Sequence, residues 1–171
     1  MLSPPQSPKP IGPFASSEGE TYLSVVRTAD VLGRAVNAVL KRHRLTEAQY
    51  HVLRVLRRAG TTGLAVPAIA ARLPRRETDV TRALDRLEAQ ALVLRTPDEQ
   101  DRRVVRARIS ATGKALVTEV DGPMRRALTR ALAHLSPRQL ETLRSLLEIA
   151  QDTGREGPRA PQPPVRFGSS R

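Results

Sequence analysis

Apolar residues recur every three or four positions along most of the chain between residues 20 and 153. The first such stretch covers residues 20–43, and its apolar members are Tyr22, Val25, Val26, Ala29, Leu32, Val36, Val39 and Leu40. This spacing places the side chains on one face of an α-helix. Five further helices are predicted near residues 46–59, 67–73, 78–91, 110–132 and 136–152. The pattern therefore predicts a mainly α-helical protein.

Sequence signals for helix ends support these boundaries. Thr46 with Gln49, and Ser136 with Gln139, have the spacing of a capping box, in which two side chains bond backbone N–H groups that the helix leaves free. Gly60 is typical of the position just after a helix. These signals predict where the second helix begins and ends and where the sixth begins.

Between residues 92 and 109 apolar residues occur at every second position instead of every third or fourth. Val105, Ala107 and Ile109 alternate with other residues, as in a strand with one buried face. The apolar segment 92–94 is predicted to be the partner strand, and the turn-rich segment 97–101 connects the two. We predict one β-hairpin with arginines on its exposed face.

The two ends of the chain differ from this core in composition. Residues 1–19 contain five prolines, residues 154–171 contain four prolines and four arginines, and neither segment has apolar periodicity. Such compositions bury too little apolar surface to fold, so both segments are predicted to be disordered tails. The folded domain is predicted to span residues 20–153. Its central part, about residues 45–110, consists of three helices followed by the hairpin, which we call the wing, and this winged lobe lies between helices 20–43 and 111–152 in the sequence.

The formal net charge is +12, and +9 of it falls within residues 20–153, since the first tail is neutral and the last carries +3. A basic balance of this size favours a polyanionic partner, nucleic acid first. The chain has only two Tyr and two Phe, and proteins that bind single strands or specific RNA sequences stack bases on aromatic rings. Double-stranded DNA is therefore the favoured partner.

Several other classes of function find no support in the sequence. The chain has no cysteine, which excludes disulfides, thiolate metal sites and thiol redox sensing. The three histidines are scattered and no catalytic motif is present, so we expect no enzyme activity, cofactor or metal site. No apolar run reaches the length of a bilayer span and no secretory signal begins the chain, so we expect a cytoplasmic protein without a membrane partner.

The helix at 78–91 and the hairpin carry the candidate DNA contacts. Arg82 and Arg86 lie one turn apart on the polar face of that helix, and such a face fits the major groove of DNA. Arg75 and Arg76 precede the helix, where phosphates would meet its N-terminus. Arginines at the hairpin tip suit the negative potential of the minor groove. These tip residues are Arg102 and Arg103.

Several segments resemble the MarR family of regulators in order and spacing, and together they cover about residues 45–113. The segments are Leu45-Thr46-Glu47-Ala48-Gln49-Tyr50, Val80-Thr81-Arg82-Ala83-Leu84-Asp85-Arg86-Leu87-Glu88, Leu92-Val93, Asp101-Arg102-Arg103 and Ile109-Ser110-Ala111-Thr112-Gly113. They are similar to the family's helix start, its V-T-R-x-x-D-R-L-E run, its D-R-R wing and its L-T-x-x-G strand end.

The resemblance implies a winged helix-turn-helix fold with one hairpin wing and added N- and C-terminal dimerisation helices. It also implies an obligate homodimer on a pseudo-palindromic DNA site, since a two-fold dimer matches a two-fold site. Family members usually repress nearby genes, and many release DNA on binding a small, often phenolic, anion. The effector-binding residues of this chain stay unknown.

Matched by position, the resemblance adds four residues to the interface. Thr78, Asp79 and Thr81 would face the major groove with the helix arginines, and Asp101 would hold the wing arginines in place. The chain departs from the family pattern at Asp79, at residues 74–77 and at Ala91, where a small hydroxyl residue, a glycine-containing turn and a glycine are common. These departures leave the DNA sequence that the protein prefers undetermined.

Three alternatives remain open at this stage. Arg82 and Arg86 would be ordinary solvated charges if Asp85 and Glu88 paired with them. The same fold would also suit a non-specific architectural DNA-binding protein, which the arginine-rich C-terminal tail slightly favours. A protein-interaction adaptor is the third alternative, and the polar arginine face argues against it.

Overall fold

The computed structural model describes residues 12–73, 80–98, 101 and 103–152. The chain divides into two compact units, Met1–Leu132 and Ala133–Arg171. The first unit contains a 3-10 turn at Gly12–Ala15 and the elements α1 (Ser17–Arg42), α2 (Glu47–Ala59), β1 (Leu64–Ala65), α3 (Val66–Ala70), α4 (Val80–Ala89), β2 (Val93–Pro97), β3 (Val105–Ile109) and α5 (Ala111–Ala131). The second unit contains α6 (Pro137–Gln151). The mainly α-helical fold with a hairpin wing is therefore confirmed.

Both predicted capping boxes are present. The Gln49 N–H donates to Thr46 Oγ1 at 3.2 Å, and the Thr46 N–H donates to Gln49 Oε1 at 2.8 Å. Ser136 and Gln139 repeat this arrangement at the start of α6. Gly60 follows the last residue of α2 with a φ of 72°, a value that favours glycine. Local sequence predicted these helix ends because the side chains satisfy N–H groups that have no partner inside the helix.

α1 begins at Ser17, three residues before the predicted start of the domain. The Gly19 N–H donates to the Ser16 side chain at 3.1 Å, so Ser16 caps a helix whose first turn was assigned to the tail. The ring of Phe14 stacks on Tyr22 with 5.9 Å between centroids. Tyr22 is 58% exposed, so Tyr50 is the only core tyrosine in the part of the chain that the structure describes.

β3 is the central strand of a three-stranded antiparallel sheet with the order β1-β3-β2. The predicted hairpin is the β2–β3 pair, in which Val93 lies opposite Ile109. The prediction of a hairpin alone was incomplete, because the two-residue strand Leu64–Ala65 also pairs with β3. Two residues are too few to show an alternating pattern, so only the packed structure reveals this strand.

One apolar cluster joins α1, α2, α3, α4, the sheet and α5. Its fully buried members are Leu40, Val52, Leu53, Leu56, Ile69, Leu84, Leu87, Val93, Val117 and Val120. Burial of one such side chain stabilises a fold by about 1.5–3 kcal/mol. Val80 and Ala83 complete the buried stripe of α4, as its spacing predicted, whereas Ala91 is exposed. The opposite face of α4 is therefore directed away from the core.

The start of α5 is packed tightly against the wing. The Ser110 hydroxyl donates to the Ala91 carbonyl at 2.8 Å and accepts from the Gly113 N–H at 2.9 Å. A Cβ on Gly113 would lie 2.3 Å from the Leu92 carbonyl oxygen, so no larger residue fits. Ala91 has a φ of 55°, in the left-handed region where glycine is unstrained. This explains physically why a glycine is common at the position of Ala91 in the family pattern.

Replacement of Gly113 by alanine is expected to lower the free energy of unfolding by about 1–3 kcal/mol, because the added methyl must displace the Leu92 carbonyl. Gly33→Ala in α1 is the control, since nothing beyond the neighbouring backbone of its own helix lies within 4 Å of its Cβ position. Alanine is favoured over glycine inside a helix by about 0.8–1.0 kcal/mol, so this control should lose no stability. Urea unfolding followed by circular dichroism measures both variants. Equal losses would contradict the steric explanation.

Candidate nucleic-acid interface

α4 presents a polar face on the side opposite its buried stripe. Thr81, Arg82 and Arg86 are exposed, whereas Leu84 and Leu87 are fully buried. Arg82 and Arg86 are four residues apart, so their Cβ atoms lie about 5–6 Å from each other on one helix face. Two guanidinium groups at this spacing suit phosphate oxygens and the acceptor atoms of guanine. α4 therefore has the form of a helix that enters a DNA groove.

The structure places the sequence-predicted residues in two groups and leaves several outside the described residues. Those outside are Arg75, Arg76, Thr78, Asp79 and Arg102. Among the described ones, Thr81, Arg82 and Arg86 share α4, and Asp101 and Arg103 lie in the turn between β2 and β3. The second group is held by hydrogen bonds within the turn.

Arg95 on β2 was missed by the sequence analysis and links the wing to α4. Its Nη2 atom donates to Asp85 Oδ1 at 2.6 Å and to the Thr81 carbonyl at 3.4 Å. Its Nε atom lies 3.5 Å from Glu88 Oε2, and the side chain is only 21% exposed. A bridge from one strand residue to three positions of α4 holds the helix and the wing together.

A sequence signal for Arg95 was present. Side chains alternate along a strand, so Arg95 shares a face with buried Val93. A charged group directed at a core requires a partner, because an unpaired buried charge is costly. The two acidic residues of α4 supply it, since Asp85 and Glu88 both pair with Arg95. This pairing weakens the alternative in which the two carboxylates neutralise the arginines of their own helix.

Asp98 organises the turn of the wing and was also missed. Its side chain is only 11% exposed and forms an ion pair with Arg106. Its Oδ1 atom accepts from the Asp101 N–H at 3.1 Å, and Asp101 Oδ1 in turn accepts from the Arg103 N–H at 3.0 Å. The side chain of Arg103 is exposed at the end of this chain of hydrogen bonds.

The outer face of the sheet adds a second basic surface. Arg106 and Arg108 alternate with buried Ala107 and Ile109, as predicted for arginines on the exposed face of the hairpin. With the threonines of the loop before β1 they line a cleft of about 560 Å³. The wing therefore carries an exposed arginine at its tip, Arg103, and another on its outer face, Arg108, whereas Arg106 is paired with Asp98.

The described residues show neither a metal cluster nor a membrane span. No group of three His, Asp or Glu side chains among them is arranged to hold a metal ion. No helix in this part of the chain is long and apolar enough to cross a bilayer.

Comparison with known proteins identifies the family. The MarR family model matches residues 45–105. The HTH-type transcriptional regulator TtmR of Methylorubrum extorquens (strain PA1) is 32% identical over 133 residues, which cover 78% of this chain and 65% of that protein. The HTH-type transcriptional regulator PecS of Dickeya dadantii (strain 3937) is 32% identical over 95 residues, which cover 55% of this chain and 57% of that protein. The chain thus spans less than two thirds of the length of these two curated relatives.

The match to a solved structure covers nearly the whole of the solved chain. The crystal structure of a MarR transcription factor from Planctomyces limnophilus is 34% identical, with a TM-score of 0.63, and the match covers 78% of this chain and 97% of that one. MarR proteins regulate transcription and are not enzymes, which agrees with the expectation from sequence. The resemblance seen in the sequence motifs is confirmed, and this chain belongs to the MarR family of transcription regulators.

Proposed function

We propose that this protein is a cytoplasmic homodimeric repressor that binds a pseudo-palindromic site in double-stranded DNA. The observation that carries the proposal is the two-faced helix α4, whose apolar side is buried while Arg82 and Arg86 are exposed. A helix of this kind fits the major groove, and its arginines donate to base edges and phosphates. Arg103 approaches the minor groove from the wing.

The remaining predicted contacts belong to the same proposal. Arg75 and Arg76 bind phosphates, Thr78, Asp79 and Thr81 line the major groove beside the two α4 arginines, and Arg102 adds charge at the wing. Because phosphate contacts by arginine release counterions from DNA, the affinity falls steeply as the salt concentration rises. Sequence preference comes from the smaller set of contacts to base edges.

Exposed apolar residues support the homodimer. They lie on α1 at Tyr22, Val25, Val26 and Val31, and on α6 at Leu143, Leu146 and Ile149. Leu146 and Ile149 are 59% and 69% exposed, so α6 has large aliphatic side chains in contact with solvent. A second copy of the chain would remove this surface from water, which favours association. A two-fold dimer then presents one α4 to each half of the DNA site.

A small anionic effector completes the proposal. α1 and α5 enclose a cleft of about 450 Å³ with a mostly apolar lining. Arg42, Arg126 and Arg130 also line it, and each of them is exposed. An apolar cleft of this size with a few polar groups suits a small molecule, and the arginines favour a carboxylate or phenolate.

Replacement of Arg86 by alanine is expected to weaken binding to the preferred DNA site by about 1–3 kcal/mol and to reduce the preference for one base. Arg125→Ala, which removes an exposed arginine from α5, is the matched control. Fluorescence anisotropy with a duplex from the region upstream of the gene, in excess random competitor and at two salt concentrations, measures both variants.

The same measurement separates the proposed function from the alternatives. Binding by the unaltered protein that disappears in random competitor would favour a non-specific architectural protein. An absence of binding at low salt would favour the adaptor. An equal loss for Arg86→Ala on every sequence would assign Arg86 to a phosphate rather than to a base.

Replacement of Leu146 by glutamate is expected to produce a monomer, because a charge would have to be buried in the dimer interface. Its exposed position means that the fold of the single chain should persist. Gln151→Glu adds the same charge to α6 and is expected to leave the dimer intact. Light scattering after size exclusion gives the mass, and circular dichroism gives the helix content. A dimeric Leu146→Glu variant would show that α6 lies outside the interface.

An aromatic carboxylate that fits the cleft is expected to release the labelled duplex, whereas its neutral amide is not, since only the charged group pairs with the arginines. A series from benzoate to larger ring systems, each tested beside its amide, provides the probe. Arg126→Ala should reduce the effect. Equal release by acid and amide, or release by no acid in the series, would remove the anionic effector from the proposal.

A further inference from the structure

Asp121 of α5 connects two positions on α2. The Tyr50 hydroxyl donates to Asp121 Oδ1 at 2.9 Å, and Arg57 Nη2 donates to Asp121 Oδ2 at 2.7 Å. Tyr50 and Arg57 lie 71 and 64 residues away from Asp121 in the sequence. One carboxylate therefore joins the winged lobe, to which α2 belongs, to the long helix α5.

The two anchor points on α2 are well separated. Tyr50 and Arg57 are seven residues apart, which is about two helical turns and about 10.5 Å along the axis. Because both bonds end on one carboxylate of α5, together they restrain the rotation of α2 about that point more than a single hydrogen bond would. Arg54, one turn after Tyr50, places its guanidinium carbon 5.8 Å from the centroid of the Tyr50 ring and holds that ring in place.

The apolar contacts between α2 and α5 restrain the orientation of α2 less strictly. Val117 and Val120 are fully buried, and apolar packing of this kind is non-directional. Hydrogen bonds weaken steeply when their angle changes. Tyr50 is only 3% exposed, so its hydroxyl has little access to water if the bond to Asp121 is lost.

The bridge keeps its protonation state across the neutral pH range. Burial raises the pKa of the Tyr50 phenol, and the hydrogen bond and charge of Asp121 raise it further. Burial also raises the pKa of Asp121, but the hydrogen bonds from Arg57 and Tyr50 and the charges of the two arginines outweigh it and hold this pKa below the ordinary value of 3.8. The phenol therefore remains a donor and the carboxylate an acceptor throughout the neutral pH range.

We infer that Asp121 is a positioning residue that sets the orientation of the winged lobe on α5, and with it the distance between the two α4 helices of the dimer. This inference rests on the proposed homodimer. α5 packs along α1, and α1 carries part of the apolar surface that a second copy would cover. A change of angle at the bridge then moves each α4 relative to the dimer axis. The spacing of DNA half-sites that the protein accepts depends on that distance.

The absence of cysteine allows a direct measurement of this distance. Gln90→Cys introduces one exposed labelling site just after α4 in the full-length chain. Pulsed dipolar electron spin resonance then gives the distance distribution between the nitroxide labels of the two protomers. We expect one narrow distribution in this parent, and a broader or shifted one when Asp121→Asn or Tyr50→Phe is added.

The variants are chosen so that a folding defect is not mistaken for a positioning role. Asp121→Asn keeps the size of the side chain but removes its charge and leaves one acceptor oxygen instead of two, so it cannot accept from both Tyr50 and Arg57. Tyr50→Phe removes only a hydroxyl from the core. Asp30→Asn is the matched control, because Asp30 pairs with Arg34 inside α1 and the described residues show no bond from its side chain to another element. The control should keep the distribution of the parent. Circular dichroism and light scattering select the variants that are folded and dimeric.

A second measurement tests the consequence for DNA. Duplexes whose two half-sites are moved together or apart by single base pairs are compared by fluorescence anisotropy. The ratio of affinities between the preferred and altered spacings should fall by about fivefold in Asp121→Asn. A fivefold change is at the lower end of the range that is usual for energetic coupling between two sites. A merely structural role would weaken binding equally at every spacing and leave this ratio unchanged.

Two kinds of outcome overturn the inference, and they differ. Folded, dimeric Asp121→Asn and Tyr50→Phe proteins with the distance distribution and spacing preference of the parent would overturn the positioning role alone. A parent that is monomeric, or that prefers no spacing, would overturn the proposed dimeric function and the positioning role with it.

Discussion

The burial of one face of α4 is the constraint on which the other features of this protein depend. Leu84 and Leu87 are fully buried, and α4 packs against α2, α3 and β2. In an amphipathic helix, the face opposite the buried one is exposed to solvent. The exposed arginines of α4 are therefore a consequence of its packing. The start of α5 belongs to the same arrangement, since the Leu92 carbonyl at the wing leaves room only for glycine at position 113.

Polar groups at the edge of this core orient the helices and strands, which apolar packing holds together without a strict direction. Arg95 joins β2 to α4, Asp98 orders the turn that carries Arg103, and Asp121 joins α5 to α2. Each of the three pairs with at least one partner because a half-buried charge without one is costly. Apolar contacts tolerate small rotations, whereas hydrogen bonds do not. The geometry of the winged lobe therefore depends on these three charged residues as well as on its apolar core.

Local sequence was sufficient for much of the fold and for part of the site. The capping boxes at Thr46 and Ser136, the buried stripe of α4 and the burial of Ala107 and Ile109 on β3 were predicted, because each depends on residues within a few positions of each other. Val105, predicted to share the buried face of β3, is instead 42% exposed. The same local pattern carried the family resemblance. The start of α1 was placed three residues late, since a proline-rich segment precedes the capping residue Ser16 and masks the signal.

The sequence by itself thus determined the helices, the hairpin and the residues that face away from the core, because the periods of helix and strand operate within one element. Only the tertiary structure decided which distant charges meet. Arg95 with Asp85, and Asp121 with Tyr50 and Arg57, are pairs whose spacing along the chain carries no period. The short strand at Leu64–Ala65 exists only because β3 lies beside it. Such contacts follow from how elements pack in space, and a pattern along one chain does not contain that information.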